Sequence, residues 1–131
     1  MFAIGITEIM FLLEIVNFYN LQHNLYLFYT PIISIICFVL IGCFSLEKFK
    51  ILHYVFTFLY FILILTWAIS LSYTILLIDI VVGLLALLIS ISTTIGIAII
   101  FFKIKVTSYF ELYLLFNTIL WNIVFTSVMV L

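Results

Sequence analysis

Long apolar runs, interrupted only by short polar breaks, restrict the folds that this chain can adopt. Each run is near the roughly 20 residues that an α-helix needs to cross the hydrocarbon core of a bilayer. The five runs occupy, approximately, residues 1–21, 26–46, 51–71, 75–102 and 111–131. The breaks are NLQHN at 20–24, EKFK at 47–50, SLSYT at 70–74 and KIKVTSYFE at 103–111.

The runs are predicted to be helices. Unpaired backbone groups are costly in lipid, and these runs are too long for barrel strands and lack period-2 alternation. Composition agrees, since 69% of the residues are hydrophobic and 7% are charged, whereas about a quarter of an average globular sequence is charged. The predicted fold class is all-α: a polytopic integral membrane protein with about five transmembrane helices in one domain, residues 1–131.

The four lysines predict the orientation of the chain. Lys48 and Lys50 lie between the second and third runs, and Lys103 and Lys105 between the fourth and fifth. Two crossings separate the pairs, so both emerge on one side. By the positive-inside rule that side is the cytoplasm or matrix, which puts the N-terminus inside and the C-terminus outside.

Two carboxylates, Glu8 and Glu14, interrupt the first apolar run. The lysine pairs would share a side even if this run lay in the membrane interface and only four helices crossed. An interfacial helix should show a clean polar face with Lys or Arg, but these glutamates are about 120° apart and the run holds no cation. A spanning helix is therefore favoured, with Glu8 roughly 10 Å and Glu14 roughly 20 Å from its inner start.

An intramembrane carboxylate usually faces protein or water rather than lipid, because lipid exposure costs a few kcal/mol. Glu14 is the leading candidate for a functional residue. The functional hypothesis for Glu14 is a proton or cation relay, or a pair with a Lys or Arg of another subunit. The structural alternative is a protonated Glu hydrogen-bonded to Asn, Tyr or Thr where helices meet.

The last run contains two amides, Asn117 and Asn122, about 140° apart around a helix. Asn in a membrane helix commonly forms hydrogen bonds between helices. We expect packing contacts from these residues, with a pore-lining role as the alternative.

Small residues recur at helical spacing in the fourth run. They are Gly83, Ala86, Ser90, Thr94 and Ala98. Such a stripe lets two helix backbones approach closely. We expect it to pack against a helix of this chain or of a neighbouring subunit.

Patterns typical of metal sites and enzymes are absent from the sequence. His23 and His53 fall on opposite sides of the membrane in the predicted topology, so they cannot share a heme. No HxxxH, CxxC or ExxH spacing, phosphate-binding glycine loop or nucleophile elbow occurs. We predict no catalytic residue, metal or cofactor, and expect a chain that is not an enzyme by itself but could be a non-catalytic subunit of a membrane oxidoreductase complex.

The stretch LALLISISTTIGIAIIFFKIK, residues 85–105, resembles the last helix of the smallest proton-pathway subunit of respiratory complex I. Ser92 stands where that family carries a glutamate, and five predicted spans replace three, so the family's proton-transfer role is not transferred. Glu14 in a first helix also resembles the small multidrug transporters, although the surrounding glycine and proline pattern differs.

Two functions are compatible with these features. The first is an accessory, structural subunit of a respiratory or other energy-converting membrane complex, whose partners are other membrane subunits and lipids. The second is a small proton-coupled transporter or proton-pathway subunit that uses Glu14. A nucleic acid is not expected as a partner, because the net charge is −1 and no basic patch exists.

The absence of arginine and the abundance of Ile, Phe, Leu and Tyr are typical of AT-rich coding sequences. The expected location is therefore the mitochondrial inner membrane, for an organelle-encoded chain, or the plasma membrane of a low-GC prokaryote or archaeon.

Overall fold

The structure is a computed structural model that describes residues 2–44, 47–103 and 108–131, with side chains for 6–44, 47–99, 112–113 and 116–131. The described part contains five α-helices and no strand. They are α1 (Phe2–Phe18), α2 (Leu25–Cys43), α3 (Lys50–Leu76), α4 (Ile80–Lys103) and α5 (Ser108–Val130). The predicted all-α fold is confirmed for this part of the chain.

Three helical segments in the described residues are long and apolar enough to cross a membrane. They are Leu25–Cys43, Lys50–Leu76 and Ile80–Ile99. The shortest has 19 residues and is about 28 Å long, against a hydrocarbon core of about 30 Å. Their outward sides carry many exposed Leu, Ile, Phe and Tyr side chains. These features are compatible with an integral membrane protein, whereas the number of crossings and the orientation stay predictions.

Helix α1 ends three residues earlier than predicted, because Asn20 adopts a left-handed backbone conformation with φ of 55°. The amide of Leu21 donates to the carbonyl of Val16 at 2.9 Å, and the amide of Asn20 donates to the carbonyl of Asn17 at 3.0 Å. This pair of bonds is a Schellman motif, which closes a helix C-terminus. The next helix, α2, begins at Leu25 with Asn24 as its N-cap.

Helix α3 continues through the break predicted at 70–74. The hydroxyls of Ser72 and Thr74 donate to the carbonyls of Ala68 and Ser70, at 2.7 and 2.8 Å. Their polar groups are satisfied within the helix, so they do not need to end it. The turn comes instead at 77–79, where the Asp79 carboxylate accepts backbone N–H groups of the first turn of α4 at 3.1 and 3.2 Å.

The chain divides into two compact units, Met1–Trp67 and Ala68–Leu131, with the boundary inside α3. In the first unit, Pro31 lies inside α2 and cannot donate to the carbonyl of Leu27, four residues earlier. The indole Nε1 of Trp67, which is 1% exposed, donates to that carbonyl at 2.7 Å. Next to it, the Tyr26 hydroxyl donates to the Thr66 hydroxyl at 2.9 Å. Side chains of α3 therefore hold the first turns of α2.

In the second unit, the end of α3 packs against α4, and α4 packs against α5. A Cβ on Gly83 would collide with the backbone of Leu76, which shows how closely α3 and α4 approach after their turn. Farther along, the Ser72 and Ser90 hydroxyls are 3.4 Å apart. On α5, the rings of Trp121 and Phe125 pack with centroids 4.3 Å apart and form part of the buried core.

Candidate functional site

The two glutamates of α1 lie on different sides of the helix, as their angular separation predicts. One side of α1 contributes Leu12, Ile15 and Val16 to the core of the first unit. Glu8 lies on this inward side and is half-buried. Glu14 is exposed on the opposite side. The structure thus separates the two residues into an inward and an outward carboxylate.

The outward side of α1 forms a continuous exposed surface, the outer face. Its members are all exposed and fall within about 120° of the helix circumference. They are Ile6, Thr7, Met10, Glu14, Asn17 and Phe18. The face therefore mixes large apolar side chains with a hydroxyl, a carboxylate and an amide.

Glu14 lies one helical turn before the end of α1, about 6 Å along the axis from Phe18. Because α1 is shorter than predicted, this carboxylate is nearer to the helix end than the sequence indicated. Among the residues that the structure describes, none forms a hydrogen bond or ion pair with it. Any hydrogen-bond donor or cation for the Glu14 carboxylate must therefore come from outside the described residues.

Glu8 has a neighbour on another helix. It lies near the middle of α1, and its charge acts electrostatically on the Tyr60 hydroxyl of α3. The ring of Tyr60 packs beside Phe38 of α2, with centroids 5.3 Å apart. The inward side of α1 therefore places a carboxylate within electrostatic range of a phenol, among apolar and aromatic side chains. The sequence contained no signal for this neighbour, since α3 carries several tyrosines.

The two asparagines of α5 have different environments. Asn117 is 6% exposed, and its amide nitrogen has no hydrogen-bond partner among the described atoms. It shares the buried side of α5 with Trp121 and Phe125, at intervals of four residues. Asn122 is exposed. The two amides do not form one polar path within the described residues.

The first half of the small-residue stripe of α4 contacts the end of α3. Gly83 and Ser90 lie against the end of α3, and Ala86 between them is fully buried. Thr94 and Ala98, in the second half of the stripe, are half-buried.

The contact of α4 with α5 uses a different pair of small residues, Ser92 and Gly96. The Tyr113 hydroxyl lies 2.6 Å from the Ser92 hydroxyl and donates to the Ser92 carbonyl at 2.8 Å. A Cβ on Gly96 would meet the Tyr113 ring. Ser92 is therefore part of a helix contact. It is the residue that stands where the complex I subunit family carries a glutamate.

The lysines that predict topology are only partly described. Lys48 and Lys50 are exposed at the turn between α2 and α3. Lys103 ends α4, while its side chain and the whole of Lys105 lie outside the described residues. The inside position of the N-terminus stays a prediction.

The histidines and cysteines occupy separate places. His53 bonds through Nδ1 to the carbonyl of Phe44 at 2.8 Å, which ties the start of α3 to the end of α2. His23 is exposed in the turn after α1. Cys37 is buried and Cys43 exposed, both as free thiols. In the described part of the chain, no group of three His, Cys, Asp or Glu residues could hold a metal ion.

No protein-family model, curated protein or solved structure matches the chain significantly.

Proposed function

We propose that this chain is a structural subunit of a multi-subunit membrane complex and contributes helix packing to that complex. The observation that carries the proposal is the outward position of Glu14. A charged side chain at lipid costs about 2.5–3.5 kcal/mol at the centre of a membrane helix, and less near its ends. Contact with another subunit removes this cost, and the described residues of this chain offer no such contact.

The remaining surface supports the same function. Large apolar side chains are exposed on each of the five helices, including Met10, Ile33, Ile51, Leu88 and Ile123. This surface suits burial among lipids and other membrane helices. We propose a respiratory or other energy-converting complex. The resemblance of residues 85–105 to a proton-pathway helix and the composition of the chain support this choice.

Co-purification tests this proposal. The chain, tagged at its C-terminus and expressed in its native membranes, is isolated in mild detergent, and the associated proteins are quantified by mass spectrometry. We expect larger membrane subunits in a fixed molar ratio to the chain, unchanged between two detergents. Isolation of the chain as a homo-oligomer in both detergents would contradict the proposal.

A second candidate function is a proton-coupled transporter or proton-pathway subunit. The observation that favours it is the half-buried position of Glu8 on the inward side of α1, within electrostatic range of the Tyr60 hydroxyl. The test is proton flux into liposomes that contain the purified chain, compared with the Glu8→Gln and Glu14→Gln variants. A flux that Glu8→Gln abolishes supports this second function, and flux no greater than that of empty liposomes rejects it for the isolated chain.

A further inference from the structure

We infer that the outer face of α1 is the docking surface for one transmembrane helix of another subunit, and that this helix presents a Lys or Arg to Glu14. The inference rests on the proposed function as a subunit of a complex. It adds the surface, the secondary structure of the partner and the charge that the partner supplies.

The spacing of the outer face matches a helix partner. Thr7, Met10, Glu14 and Asn17 follow one another at intervals of three, four and three residues. This is the a/d spacing with which one helix packs along another. The face runs for about 18 Å from Ile6 to Phe18, roughly three helical turns. Any one side of an α-helix has this spacing, so the choice of partner rests on the polar residues of the face.

The polar residues of the face determine the chemistry of the partner. The Glu14 carboxylate is negative and accepts hydrogen bonds, and Asn17 lies three residues later on the same face. Hydrogen bonds between ionised groups are roughly twice as strong as neutral ones. A polar group at an a or d position also fixes partner and register. A Lys or Arg on the facing helix would form a strong ionic hydrogen bond with Glu14 and would fix the register of the two helices.

The described cations of this chain are at the wrong level to pair with Glu14. Glu14 lies one turn before the connection between α1 and α2, whereas Lys48 and Lys50 follow the far end of α2. The 19 residues of α2 place about 28 Å between these levels. A second copy of the chain in the same membrane orientation would have these lysines at the same distance. Within the described residues neither this copy nor a second one offers a cation to Glu14, so the proposed occupant is a different protein.

The test is site-specific photocrosslinking of the full-length chain in its native membranes. Met10, which is 65% exposed on the outer face, is replaced by p-benzoyl-phenylalanine, and the crosslinked peptide is sequenced. We expect a peptide from a different protein, from an apolar segment of about 20 residues that contains a Lys or Arg. Adducts with lipid alone, or with a second copy of this chain, would overturn the inference.

Charge variants test the role of Glu14 in the same assay. Glu14→Gln keeps the side-chain shape and removes the charge, and we expect it to lower the yield of the crosslink about three- to tenfold. Glu47→Gln is the matched control, because Glu47 is exposed at the turn after α2, and its yield should equal that of the wild type. An unchanged yield for Glu14→Gln would refute the assignment.

Charge exchange completes the test. Glu14→Lys should abolish the crosslink, and replacement of the partner's Lys or Arg by Glu should restore it. Failure of this rescue while the wild-type chain still co-purifies with larger subunits would refute the docking inference and leave the proposed function intact. Absence of any fixed-ratio partner of the wild type would instead refute the proposed function.

Discussion

Among single residues, Trp67 makes the clearest stabilising contact, because it bonds to the Leu27 carbonyl that Pro31 leaves without a backbone donor. Proline within a helix removes one backbone bond, and in lipid the freed carbonyl needs another donor. The Trp67 indole supplies it at 2.7 Å from α3. Ser34 donates in turn to the carbonyl of Pro31 at 2.8 Å. This arrangement explains how α2 accommodates a buried proline.

Trp67→Phe should lower the free energy of unfolding by about 1–3 kcal/mol beyond the loss from packing, because the Leu27 carbonyl loses its donor while buried. In a Pro31→Ala background residue 31 can donate to that carbonyl, so Trp67→Phe should cost less. Detergent-titrated unfolding of the four chains of this double-mutant cycle measures the difference. Equal costs of Trp67→Phe in both backgrounds would show that the indole only fills space.

Asn20 tests the turn that ends α1. Its left-handed backbone costs a β-branched residue about 1–2 kcal/mol and glycine nothing. Asn20→Gly should therefore leave thermal stability in detergent equal or higher, and Asn20→Val should lower it. If both variants behaved alike, the Schellman motif would not be what ends the helix.

At the scale of helices, the sequence predicts the class and the approximate positions, because lipid permits helices and barrels alone and the apolar runs have the length of helices. Several ends differ from the predicted bounds by three to five residues, and two of these differences have a visible cause. Asn20 closes α1 early through a backbone conformation that hydropathy does not report. The hydroxyls of Ser72 and Thr74 bond within α3, so a polar stretch at 70–74 did not mark a turn.

The candidate site was predicted less completely than the helices. Angular spacing alone separates Glu8 from Glu14, but only the fold shows that Glu8 is inward and Glu14 outward. Glu8 lies within electrostatic range of Tyr60, 52 positions later, and Trp67 bonds to the carbonyl of Leu27, 40 positions earlier. Such pairs depend on helix packing, which single-helix periodicity does not contain.

Gly83 and Gly96 allow a matched test of helix packing on α4. Replacing either by Ala gains a similar helix propensity. At Gly83 the new Cβ meets the backbone of Leu76, whereas at Gly96 it meets a side chain, the Tyr113 ring, which can move. Gly83→Ala should therefore be the more destabilising by about 1–3 kcal/mol, as measured by thermal unfolding in detergent. A larger loss for Gly96→Ala would contradict the close approach of α3 and α4.

For the whole molecule, the sequence predicts five membrane crossings with the lysines on the inner side. In the described residues, three helical segments are long and apolar enough to cross. The natural Cys43 and an introduced His23→Cys provide a test, since both positions are exposed and lie at opposite ends of α2. In intact cells or vesicles of native orientation, an impermeant maleimide should label His23→Cys from outside. Cys43 should react only after permeabilisation, and the reverse pattern would invert the topology.

Whether α1 crosses the membrane is tested separately by an N-terminal epitope tag. If α1 spans, the tag is inside and inaccessible to antibody until the membrane is permeabilised. If α1 lies in the outer interface, the tag is accessible from outside without permeabilisation. The first result is expected, because the outer face of α1 has no cation to face lipid headgroups.

In the proposed function this chain is a subunit beside other membrane proteins, and Glu14 faces one of them. Native mass spectrometry of the intact particle, released from mild detergent, tests it most directly. We expect one main mass that contains the 15.3 kDa chain in a fixed number of copies together with larger, different subunits. A particle whose mass is an integer multiple of the chain alone would contradict it.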